Sequence, residues 1–149
     1  MRIKTVASVT IALLVGTTLA VAGATKDGAV AMVKSAVEAI KVEGPEKAYA
    51  EINKGGKFHD GELYVVVQGF DGTTLAHAVN AKLIGKNMIE AQDVDGKYFA
   101  KGLVELGRKQ ASFWYDFKFV NPATKKIQVK DMYCESLKET VVCTGVYRS

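Results

Sequence analysis

From Ala111 to Tyr147 the chain reads as three consecutive β-segments joined by two polar turns, and any fold it adopts must therefore contain an antiparallel sheet. Ala111 to Phe119 holds Phe113, Trp114, Tyr115, Phe117 and Phe119, five of the thirteen aromatic residues and side chains of the kind enriched in strands. Asn121-Pro122-Ala123-Thr124 supplies turn residues, and Ile127 to Glu135 returns antiparallel. A second polar turn, around Leu137-Lys138-Glu139, leads into Thr140 to Tyr147. If that turn centres between Lys138 and Glu139, Cys134 and Cys143 are direct cross-strand neighbours. Opposed β-carbons approach to about 4.5–5.5 Å, and a disulfide needs roughly 3.5–4.5 Å. The bridge is therefore expected at a non-hydrogen-bonded pair, with two buried free thiols as the competing reading.

Upstream, the hydrophobic period is helical. Ala31, Met32, Val33, Ala36, Val37, Ala39 and Ile40 share one broad face behind an expected N-cap at Asp27. Gly44-Pro45 ends or kinks that helix, and a second piece runs from Glu46 to about Asn53 before Gly55-Gly56 stops it. Leu63 to Val67 is a continuous apolar run, expected to be a strand covered on both faces. Asp71-Gly72 turns the chain into Thr73 to His77. A loop-like stretch from Asn80 to Asp95 precedes helical spacing at Tyr98, Phe99, Gly102, Leu103 and Leu106. The order predicts an α+β domain: a long N-terminal helix packed on an antiparallel sheet of about five strands.

The N-terminus carries a different signal. Met1-Arg2-Ile3-Lys4 places positive charge ahead of an apolar stretch from Val6 to Ala22, the pattern of a secretory leader. Cleavage is expected after Ala24, with Ala22 as the other small-residue site and an uncleaved anchor as the alternative. Removal of residues 1–24 leaves one domain, 25–149, and lowers the formal charge from +4 to +2. No second apolar segment is visible, so the mature form is expected to have no membrane span and to be periplasmic, where an oxidising environment favours the Cys134–Cys143 bridge. With so little charge and no basic helix, a nucleic-acid partner is not expected. Neither is an enzyme, because Gly-x-Ser-x-Gly, P-loop and His-Glu-x-x-His motifs are missing and the cysteines are not spaced as Cys-x-x-Cys. No cofactor or metal is expected.

Several short pieces recur in an order that carries more information than any one of them. They are Gly69-Phe70-Asp71-Gly72-Thr73, Ala76-His77, Ile84-Gly85-Lys86-Asn87, Asp95-Gly96, Trp114, Asn121-Pro122-Ala123-Thr124, Lys130-x-x-Tyr133 and Thr144-Gly145-Val146-Tyr147. Together they resemble the single Cache domain of the sCache_2 type, an extracytoplasmic sensor family. The resemblance implies a PAS-like sheet enclosing a small organic acid, and a membrane receptor or sensor kinase as the partner that carries the message. It places the ligand-binding residues at His77, Trp114, Tyr115, Phe117, Lys130 and Tyr133. Two positions depart from the family pattern: Ala78 follows His77 where a proline is usual, and Phe117 stands where a tyrosine is usual. Loss of that hydroxyl means that the ligand is less polar, or that Tyr115 or a water replaces the contact.

Chemistry supports the set. A lysine ammonium offers point charge to a carboxylate, while imidazole and phenol donate directed hydrogen bonds. Strand geometry qualifies it. Alternation puts Trp114 on one face and Phe113, Tyr115, Phe117 and Phe119 on the other, so one face packs the helix and the other lines a pocket. Lys130 and Tyr133 likewise point to opposite faces of a regular strand, so joint contact with one ligand requires a bulge or an indirect contact. The rival to a sensor is a structural or accessory subunit whose pocket is filled by its own aromatics.

Overall fold

The computed structural model describes residues 24–149, and the leader expected at residues 1–24 lies outside them except for Ala24. Helix α1 (Lys26–Glu43) is capped by Thr25 rather than Asp27, with Thr25 Oγ1 accepting from Gly28 N at 3.0 Å. Asp27 falls in the first turn instead, where its charge still complements the helix N-terminus. Gly44, at φ 85°, breaks the helix, and Pro45 starts α2 (Pro45–Asn53) from the position where a missing N–H costs nothing.

The expected Leu63–Val67 strand divides in two. β1 (His59–Asp60) pairs with β2 (Leu63–Tyr64) in a small separate ribbon, whereas β3 (Val66–Gly69) joins the main sheet. β3 and β4 (Thr74–His77) form the first hairpin, closed by Asp71, whose carboxylate accepts from Thr73 N at 2.9 Å and from the Thr73 hydroxyl at 3.0 Å. The chain then crosses to α3 (Phe99–Gly107) and enters the meander β5 (Ser112–Val120), β6 (Ile127–Leu137) and β7 (Thr140–Tyr147). The antiparallel sheet has the order β4-β3-β7-β6-β5.

The last hairpin has the expected register: Leu137 faces Thr140, and Cys134 faces Cys143. Lys138, at φ 53°, supplies the left-handed conformation that so short a turn needs. Cys134 and Cys143 form a disulfide with Cα atoms 4.2 Å apart, the close spacing of a non-hydrogen-bonded pair.

Each face of the sheet buries its own core. Val33, Ala36, Val37 and Ile40 of α1 pack with Ala48 and Ile52 of α2 against Val67, Ala76 and Val142. On the opposite face, Phe99 and Leu103 of α3 meet Phe113, Phe117, Met132, Val141 and the disulfide. The segment between β4 and α3 closes the remainder of this second face. It is held to the first hairpin by Thr74 N→Lys86 O and Met88 N→Gly72 O, and to the β5 edge by Lys118 N→Asp93 Oδ2 at 3.0 Å.

Candidate ligand-binding site

A cavity of about 50 Å³ lies between the second face of the sheet and its cover. The sheet contributes Val66, Gln68, Thr74, His77, Phe117, Phe119, Lys130 and Met132; β2 of the small ribbon contributes Tyr64; α3 contributes Phe99 and Leu103; the crossing segment adds Leu83 and Met88. The chemistry of the cavity is divided. Aromatic and aliphatic side chains form most of the wall, with Phe117 stacked on Phe99 at a centroid distance of 4.7 Å and edge-on to Phe119. Lys130, His77, Gln68 and Thr74 form the polar remainder, and no Asp or Glu among the described residues lines the cavity.

Lys130 is 1% exposed, and among the described residues it forms no salt bridge. Its Nζ sits 3.7 Å from the ring centroid of Tyr64 and 5.3 Å from that of Tyr147, so both rings attract the ammonium. Burial pushes the ammonium below the usual lysine range, and Tyr64 acts in the opposite direction. The two tyrosines are themselves held. Tyr147 donates to Val120 O at 2.8 Å, leaving its oxygen to accept from Tyr64 at 2.9 Å. Burial, with Tyr64 alongside, keeps the Tyr147 phenol protonated by raising its pKa.

His77 is 4% exposed and stacks on Tyr64 at 5.2 Å. Its Nδ1 accepts from Asn80 N at 3.0 Å and Val79 N at 3.3 Å, which assigns the proton of the neutral ring to Nε2. Burial first, and the Lys130 charge second, lower its pKa from 6.5 to about 4. The ring is therefore a neutral Nε2–H donor at physiological pH. The residue after His77 needs no proline here, because Ala78 N donates to Val65 O at 3.0 Å.

Of the six residues expected to bind ligand, His77, Phe117 and Lys130 line this cavity, and Trp114, Tyr115 and Tyr133 do not. β6 pairs without a bulge, Lys130 opposite Phe117 and Tyr147, Tyr133 opposite Trp114 and Thr144. Strict alternation therefore turns Trp114 and Tyr133 to the α1 face. There the two rings lie 5.3 Å apart; Lys26 Nζ sits 5.1 Å from the Trp114 ring, and Tyr133 donates to Glu135 Oε1 at 2.9 Å. Tyr115 is on the second face but is occupied elsewhere. Its hydroxyl fills the place that a Cβ would take at Gly102, and Lys97 Nζ lies 4.2 Å from its ring. Tyr64, Gln68 and Thr74 were missed as candidates. The available signal was a polar-capable side chain on every second position of β3 and its neighbours, but the face it belonged to depended on pairing with β7.

The described residues thus define a class, a PAS-like α+β domain with a small, partly open cavity against one face of its sheet. The chain belongs to the single Cache domain 2 family, whose model matches residues 24–149. It is similar to a methyl-accepting chemotaxis protein from Vibrio parahaemolyticus, with 25% identity and a TM-score of 0.71 over 82% of this chain and 87% of that one. A periplasmic sensor domain of a chemotaxis protein shares the fold at 19% identity and TM-score 0.67, covering 83% and 90%. So does a Cache chemosensory domain described for carboxylic acid recognition, at 18% identity and TM-score 0.70, covering 83% and 92%. No curated protein matches the chain.

Proposed function

We propose that this protein is an exported sensor that binds a short monocarboxylic acid between Lys130 and His77 and presents the bound state to a separate membrane receptor or sensor kinase. One observation carries the reading: a fully buried ammonium that has no carboxylate partner among the described residues lines a small cavity. An unpaired buried charge costs several kcal/mol, and an incoming carboxylate offsets that cost where the protein itself does not. The Nε2–H of His77 is the second donor, so one oxygen goes to the ammonium and the other to the imidazole. The aromatic wall takes the alkyl end.

Size and charge narrow the ligand further. The small cavity suits acetate and, with small side-chain shifts, propionate or pyruvate. α-Amino acids fit poorly because no acidic residue lines the cavity to accept their ammonium. Resemblance to a chemotaxis receptor domain and to a domain that recognises carboxylic acids supports the same class. Export through residues 1–24 accords with the Cys134–Cys143 disulfide, a bond that persists in oxidising compartments. No helix of the described residues is long and apolar enough to cross a membrane.

Thermal unfolding against two- to four-carbon acids, amino acids and amines tests the proposal. A short acid at about 100 times its dissociation constant should stabilise the fold by about 2.7 kcal/mol, with no shift from amino acids. A folded protein that no acid stabilises would leave the accessory-subunit reading standing.

A further inference from the structure

Lys130 is rooted on β6, yet its ammonium lies 3.7 Å from the ring centroid of Tyr64 on β2 and 5.3 Å from that of Tyr147 on β7, and it lines the same cavity as His77 of β4. Its side chain must cross an intervening strand. It does so over Gly145, where a Cβ would stand 2.7 Å from Lys130 Cε, closer than real contacts allow. Met132 Cγ and the Asp131 carbonyl, at 2.8 Å each, close the other sides of the same gap. Gly145 pairs with Met132, two residue pairs along the ladder from Lys130–Tyr147 and on the same face, so the lysine stem runs diagonally across it. This glycine has negative φ, which any residue can adopt. Its requirement is for space and not for backbone freedom.

We infer that Gly145 is the positioning residue that sets the reach of Lys130, making the Thr144-Gly145-Val146-Tyr147 segment a part of the acid-binding site without touching the acid. The inference rests on the function proposed above and deepens it. A methyl group at 145 lifts the stem off β7 and withdraws the ammonium from its seat between the two tyrosine rings. The carboxylate then loses its charged partner, whereas the donor on His77 and the aromatic wall stay in place.

Calorimetric titration with acetate and with its neutral counterpart acetamide separates this role from a general loosening of the fold. Acetate binding to the wild type checks the underlying reading, and its absence there would remove the acid without bearing on the lysine's path. In Gly145→Ala, acetate should weaken at least tenfold and acetamide less than twofold, and the preference should fall to that of Lys130→Met. Combining the two substitutions should add nothing to Lys130→Met alone. Equal weakening of acetate and acetamide, or unchanged acetate affinity, overturns the inference. If Gly145→Ala does not fold, a crystal structure of the wild type decides the question: the Lys130 stem over the Gly145 Cα supports the inference, and a stem directed elsewhere overturns it.

Discussion

Lowering the pH from 7 to 4 should destabilise this domain in part through one imidazole, and the size of that part follows from where His77 sits. In the unfolded chain its pKa is near 6.5; in the folded protein burial and the Lys130 charge lower it to about 4. Above pH 6.5 the ring is neutral in both states and contributes no pH dependence. Below it the unfolded chain takes up a proton that the folded chain refuses, so unfolding is favoured progressively until the folded pKa is reached. The two values differ by about 2.5, and at 1.36 kcal/mol for each the loss is about 3 kcal/mol between pH 6.5 and 4. The assay is urea unfolding of the wild type and His77→Gln at half-unit steps across that window. Hydrogen-bonded carboxylates such as Asp71, Asp93 and Asp131, whose pKa values are lowered, add their own acid destabilisation to both proteins. The difference between the two curves therefore isolates the imidazole. Parallel curves from pH 6.5 to 4 would refute the claim that His77 is held neutral by burial beside Lys130.

Other substitutions follow from the same site and its supports. Lys130→Met should raise the stability of the unliganded protein by about 1–2 kcal/mol in chemical unfolding at pH 7, the burial cost of the charge exceeding its attraction to Tyr64, and should weaken acid binding at least tenfold. It should also remove the gain in stability that the wild type shows as pH rises toward the ordinary lysine range, since the folded ammonium ionises below it. Reducing Cys134–Cys143, whose sequence separation is 9, should cost about 2–3 kcal/mol by loop entropy and lower the melting temperature by roughly 10 °C, measured with and without dithiothreitol. Thr144→Val should stabilise by about 1 kcal/mol, because the Thr144 hydroxyl is buried without a hydrogen-bond partner.

The parts of the fold that were legible in the sequence are those governed by local rules. A short turn and a period of two place Cys134 opposite Cys143, and Gly44-Pro45 ends α1. Helical spacing found α3, and the shared order of short pieces found the family. Pairing across long sequence distances was not legible. β3 bonds to β7, and Tyr64 to Tyr147 at a separation of 83 residues; nothing in the Leu63–Val67 run announces either partner or the break at Val65. The site shows the same division. Alternation along β5 and β6 already separated Trp114 from Phe117 and Tyr133 from Lys130, and resemblance nevertheless grouped them. The geometric rule was the better guide there, because a regular strand cannot present residues three apart to one cavity. Gly145 was recognisable as part of a motif, but its purpose depends on which neighbouring side chain crosses it.

A crystal structure of the protein with the short acid that stabilises it most tests the central claim most directly. One carboxylate oxygen should lie within hydrogen-bonding distance of Lys130 Nζ, the other should accept from His77 Nε2, and the alkyl end should rest against Phe117 and Phe99. An acid bound outside this cavity, or a cavity filled by its own side chains while the acid is present, would contradict it.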